Sequence, residues 1–185
     1  MTRQIVARWQ NWAGDSLEHL VLRIGQGGAT ADSAILGTAE GDAFAARYHV
    51  ACDRDWRVQT AAVHVTGVEQ SLELASDGAG RWRDGAGNRL AELDGAIDID
   101  ITATPFTNTL PIRRLGLGER AAAEFVVAYV RLPELRVTAE RQRYTCLDNG
   151  RHYRFESLDG GFMREIEVDV DGLVVTYPGL FRRVR

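Results

Sequence analysis

Lysine is absent from this chain: all 22 basic residues are arginine. Schiff-base catalysis and a P-loop lysine are thereby excluded, because both need an amine. A GC-rich genome accounts for the bias without invoking function. Cysteine is nearly absent, with Cys52 and Cys146 alone. Two thiols cannot build a zinc cluster, and two in 185 residues do not make a disulfide scaffold. Both are expected to be buried and reduced. No segment approaches the roughly 18 apolar residues of a membrane helix, and the N-terminus lacks the apolar run of a secretory signal. A soluble cytoplasmic protein is expected. The Gly-x-Ser-x-Gly, Gly-x-Gly-x-x-Gly and Cys-x-x-Cys motifs are all missing. His19, His49, His64 and His152 show no ligand spacing, so neither metal nor cofactor is expected. The net charge is −4 with scattered arginines, which argues against nucleic acid as a partner.

What is abundant is turn chemistry. Asp-Gly occurs at Asp77, Asp84, Asp94, Asp159 and Asp171, and Asn-Gly at Asn149. Glycine carries no Cβ penalty at positive φ, so these pairs close tight hairpins. Short alternating runs lie between them, whereas long helical patterns are hard to find. The expectation is a mainly β domain over residues 1–185. A dozen or more short strands do not stay flat, so the antiparallel sheet should curl strongly into a partial barrel or β-roll. Arg89 to Leu93 reads as one of the shorter strands. Glu124 to Arg131 is apolar on both faces, so its second face must meet core, another layer or a ligand.

The chemistry concentrates between Asp94 and Arg114. Ile97, Ile99 and Ile101 alternate with Asp98, Asp100 and Thr102, so each set should share a face. Pro105 and Pro111 interrupt the run. Thr104 as N-cap and Pro105 as first helical residue would start one short turn, and Thr104 and Leu110, each preceding a proline, are not expected in mid-helix. The Cα atoms of the two aspartates stand roughly 6.5 Å apart along a strand. That falls within the glycosidase range, but a glycosidase sets its pair on opposite sides of the scissile bond. Pairing with arginines on neighbouring strands is the plainer reading. Thr102, Thr104, Thr107 and Asn108 could meet sugar hydroxyls, or could satisfy turn backbone. Arg113, Arg114 and Arg143 could clamp a phosphate or carboxylate, or could be solvated or paired with acids. The four tryptophans fit core or sheet edges better than a sugar-stacking platform.

The string Ile97 to Leu115, IDIDITATPFTNTLPIRRL, resembles the signature of a bacterial family described as Putative glycolipid-binding. Leu17-Glu18-His19-Leu20, Cys52-Asp53 with Trp56-Arg57, Gln142-Arg143-Tyr144-Thr145, and Gly172-Leu173-Val174 through Tyr177-Pro178 extend the likeness over nearly the whole chain. The resemblance implies a strongly curved sheet comparable to the half-barrels of bacterial lipoprotein carriers. It brings no catalytic residues. The expected function is non-enzymatic binding of an amphipathic ligand, most simply a glycolipid. Acyl chains would lie on the concave sheet face, with the head group at Asp98, Asp100, Thr102, Thr104, Thr107, Asn108, Arg113, Arg143 and Tyr144. The alternative is a hydrolase of a sugar or lipid derivative using Asp98 and Asp100.

Overall fold

The computed structural model describes residues 2–185. Seven strands form a meander: β1 (Arg3–Asn11), β2 (Leu17–Gly25), β3 (Gly28–Ala39), β4 (Asp42–Cys52), β5 (Val58–Val65), β6 (Ser71–Ser76) and β7 (Trp82–Asp84). Next come β8 (Ala96–Ile101) and a short helix, α1 (Thr109–Leu115). A second meander follows: β9 (Ala122–Arg131), β10 (Arg136–Asp148), β11 (His152–Ser157), β12 (Phe162–Val168), β13 (Val174–Tyr177) and β14 (Phe181–Val184). All fourteen strands join one sheet, in which β1 pairs with β14 and so links the meanders; β7 and β8 are its edges. Every pairing is antiparallel except β8 with β9, which run parallel across the α1 crossover. The expected antiparallel sheet is therefore a mixed one.

The curl brings the two edges together without a ladder. The Trp82 indole on β7 donates to the Ala96 carbonyl on β8 at 2.6 Å. The Gly95 amide donates to the Gly80 carbonyl at 2.8 Å. Both glycines have positive φ, and a Cβ on Gly80 would lie 2.9 Å from the Gly95 backbone. Only glycine permits that approach.

The alternating strands bury one face each. Leu20, Leu22, Val50, Val63, Trp9 and Trp82 fill the interior of the first meander, where Ile99, Ile101, Phe106 and Leu110 join them. Each such side chain contributes roughly 1.5–3 kcal/mol by leaving water. A second cluster, including Tyr144, Phe155, Ile166 and Tyr177, packs inside the other meander. β9 lies between them. Ala128 and Val130 face the first cluster, while Phe125 packs on the second, which accounts for a strand apolar on both sides.

Three local expectations change. Arg89 to Leu93 is not a strand: Ala91–Leu93 is a 3-10 turn, and Arg89 makes an isolated bridge to Arg83. Leu110 lies in the first turn of α1 and not in mid-helix, as expected, and Pro111 beside it occupies a position where a missing N–H leaves no bond unmade. Ile97 leaves the isoleucine face, since the pairing shifts register between Ala96 and Asp98 and Ala96 takes the core position. The cap moves by one residue: the 3-10 turn starts at Phe106 with Pro105 at its N-cap, while Thr104 Oγ1 accepts from the Phe106 amide at 3.0 Å. Cys52 and Cys146 are buried free thiols, and burial pushes the Cys52 thiol up to about 12.

Candidate functional site

β8 and β9 run parallel, with Asp98 beside Val127 and Asp100 beside Tyr129. Both aspartates thus project to the side of the second cluster. Their partners there differ. Asp98 is 0% exposed and takes a two-pronged ion pair from Arg114 on α1: Nε lies 3.1 Å from each oxygen and Nη2 2.6 Å from Oδ2. Burial still holds its carboxyl above the usual range. Asp100 has no arginine. Thr107 Oγ1 donates to its Oδ1 at 3.0 Å and Gln142 Nε2 to its Oδ2 at 2.6 Å, and burial raises its pKa.

Asp100 opens onto a cavity of about 410 Å³. Tyr129 on β9, Glu140 and Gln142 on β10, Phe155 and Ser157 on β11 and Phe162 on β12 line it, with Tyr177 and Phe181 from β13 and β14 and Arg131 as its cation. Strand alternation explains the set. Glu140, Gln142 and Tyr144 lie on one face of β10, and Gln142 stands opposite Ser157, which stands opposite Phe162. Glu140 is raised by burial and then by the charge of Asp100; among the described residues its carboxylate has no hydrogen bond or ion pair. Tyr177 is 4% exposed, and its hydroxyl likewise has no protein partner among the described residues. The cavity therefore offers aromatic walls together with polar atoms whose hydrogen-bonding capacity is unused. Its size suits a small organic ligand.

A neighbouring cavity of about 340 Å³ shares Thr102, Leu180 and Phe181 with the first. Trp12, Ala13, Ala39, Phe44 and Leu132 line it together with the polar Asn11, Ser16, Thr38 and Thr102. Trp12 is 47% exposed, unlike the other three tryptophans, which are buried.

Of the residues singled out in the sequence, Asp100, Thr102, Thr104 and Asn108 line the first cavity. Thr107 stands behind Asp100. Tyr144 is buried and its hydroxyl accepts from Asn108 Nδ2 at 2.6 Å. Arg113 lies over the Trp56 ring at 4.9 Å. Arg143 faces the opposite side of β10, between Glu124 and Glu156. Adjacent residues on a strand cannot reach one site, and that alternation separates Arg143 from Tyr144. The same alternation, carried from Tyr144 back through Gln142, points to Glu140, which the sequence reading passed over. The sequence leaves the β9 face that carries Tyr129 to core, another layer or a ligand and singles out none of Phe155, Phe162, Tyr177 and Phe181; the curl of the sheet gathers all five around a space.

Glu18 is the remaining buried carboxyl near the site. It is 3% exposed, and its Oε1 accepts from Ser33, Tyr48 and Thr104 at 2.7, 2.7 and 2.9 Å. Its Oε2 has no partner, and burial pushes the group up to about 7.

Comparison with curated proteins gives no match. The crystal structure of a DUF1089 family protein from Pseudomonas aeruginosa is similar to this chain, with 41% identity over 92% of each chain and a TM-score of 0.81. The family model described as Putative glycolipid-binding matches residues 6–183. A match of that extent leaves only the two ends outside it, and the chain belongs to the Putative glycolipid-binding family.

Proposed function

We propose that the protein binds an amphipathic glycolipid without altering it, holding the sugar beside Asp100 and leading the acyl part toward Trp12. The observation that carries this reading is the pair of adjoining cavities, the first walled by aromatic rings and polar groups and the second flanked by Trp12, which share Thr102, Leu180 and Phe181 in their linings. Aromatic faces stack on the C–H faces of sugar rings, while carboxylates and hydroxyls receive and donate the ring's hydrogen bonds. The acyl part follows the smaller cavity because the interior of the first meander is occupied by the protein's own side chains. Asp98, Arg113, Arg143 and Tyr144 then shape or support the surroundings without lining the space. The family description favours the same ligand class.

The hydrolase alternative loses the pair the sequence offered, although Glu140 lines the cavity with Asp100. Asp98 is committed to Arg114 and does not line the cavity, which leaves Asp100 without the expected carboxylate pair. Incubation with a total bacterial lipid extract, followed by native mass spectrometry, tests the reading. Wild type is expected to retain an intact glycolipid that Asp100→Asn retains at least about tenfold less well, about 1.4 kcal/mol. Retention of no lipid, or release of a cleaved product, overturns it.

A further inference from the structure

We infer that the cavity selects an uncharged sugar head group and rejects phosphorylated and ammonium head groups on the same tail, an inference that rests on the glycolipid-binding reading. Asp100 and Glu140 both line the space, and neither has a cation within ion-pairing distance among the described residues. Thr107 and Gln142 fix the Asp100 carboxyl by neutral donors, so its orientation is set without a compensating cation. An anionic head group would bring a second negative charge against two partly desolvated carboxylates, where water screens poorly.

The nearby cations do not reverse that balance. Arg131 lines the cavity but its side chain is exposed, and Arg164, also exposed, lies 4.7 Å over the Phe162 ring and donates to the Met163 carbonyl. Asp159 on the following turn is engaged by Arg141 on the outer face. The deeper groups are acidic, whereas the cations stand at the margin.

An ammonium group would satisfy the charge and stack on the aromatic walls, but it would leave the neutral hydrogen-bonding groups unpaired. Asn108, Ser157 and the Tyr177 hydroxyl are neutral hydrogen-bonding groups around the same space. A quaternary ammonium can use none of them. A sugar ring presents hydroxyls in several directions, each able to donate to a carboxylate and accept from a hydroxyl or amide. Buried polar groups left unpaired by the wrong ligand make such a site selective.

The test holds the tail constant. Octyl β-D-glucopyranoside, octyl phosphate and octyltrimethylammonium are titrated into the intact protein by calorimetry, below their micelle concentrations. The glucoside is expected to bind at least about tenfold more tightly than either charged amphiphile. Glu140→Gln, at a residue without protein partners, is expected to fold normally and to narrow the gap between glucoside and phosphate by threefold or more. Adding Asp100→Asn should narrow it further. Equal or tighter binding of phosphate or ammonium overturns the selectivity while leaving amphiphile binding intact, as does an unchanged gap in Glu140→Gln. Binding of none of the three overturns the glycolipid-binding reading itself.

Discussion

Gln142 reaches Asp100 across an intervening strand, its Nε2 lying 2.6 Å from Oδ2. The contact joins β10 to β8 over the top of β9 and fixes the one carboxylate of the central stretch that opens onto the cavity. A hydrogen bond to a charged group is worth about 1.5–3 kcal/mol. Gln142→Leu is therefore expected to lower unfolding free energy by about that amount in urea titration. It should also weaken octyl glucoside binding by more than the stability change alone explains, because Asp100 becomes free to rotate. A variant that binds as wild type does would show that the orientation of Asp100 is immaterial.

Asp98 and Arg114 form the second test. Breaking a buried pair by removing one partner costs about 3–5 kcal/mol, because the other charge stays buried alone. Arg114 retains 12% side-chain exposure, against 0% for Asp98, so it can recover some hydration. Arg114→Met should consequently be the more damaging change and Asp98→Asn the milder one, both measured as shifts of the urea midpoint. Equal and small shifts would contradict the pairing.

Glu18 makes stability depend on pH in a definite direction. Its folded pKa of about 7 lies above the ordinary 4.5, so the folded state holds an extra proton between those values. The contribution is fully present below pH 4.5 and lost as pH rises through 7. Relative to Glu18→Gln, wild type should lose about 3 kcal/mol across that window. Denaturant midpoints of both proteins from pH 4 to 8 measure it. Parallel curves would show that Glu18 titrates normally.

Gly80 is the place where a single methyl group should be costly. The added Cβ would press on the Gly95 backbone, which cannot swing aside as a side chain could, and φ is already +92 there. Gly80→Ala is expected to destabilise the fold by about 1–3 kcal/mol. The loss should appear as faster hydrogen exchange at the Gly95 amide, which donates to Gly80. Gly87→Ala, at a positive φ but with no atom within 4 Å of the added Cβ, is the control for backbone strain alone.

Much of the sheet is readable from turn residues and alternation. Glu40-Gly41 closes β3 onto β4, and Asn149-Gly150 closes β10 onto β11, each with two positive φ angles in the turn. The shared face of Asp98 and Asp100 is equally legible. Their different fates are not, because Arg114 and Gln142 arrive from elements sixteen and forty-two residues away. Local pattern also misplaces Ile97, since one register shift moves a side chain to the other face. The aromatic lining escapes notice for a related reason. Phe155 and Phe162 read as ordinary inward residues, and whether inward means packed or hollow depends on how far the sheet curls.

The seam between β1 and β14 pairs Arg8–Asn11 with Phe181–Val184 in the middle of the sheet. During synthesis β1 can acquire β2 at once by a hairpin, but its other side stays open until residue 184 has left the ribosome. An open strand edge is a template for pairing with another chain. Release of nascent chains stopped before Phe181 would therefore yield molecules that associate through β1, and chains extended past Arg185 enough to clear the exit tunnel would not.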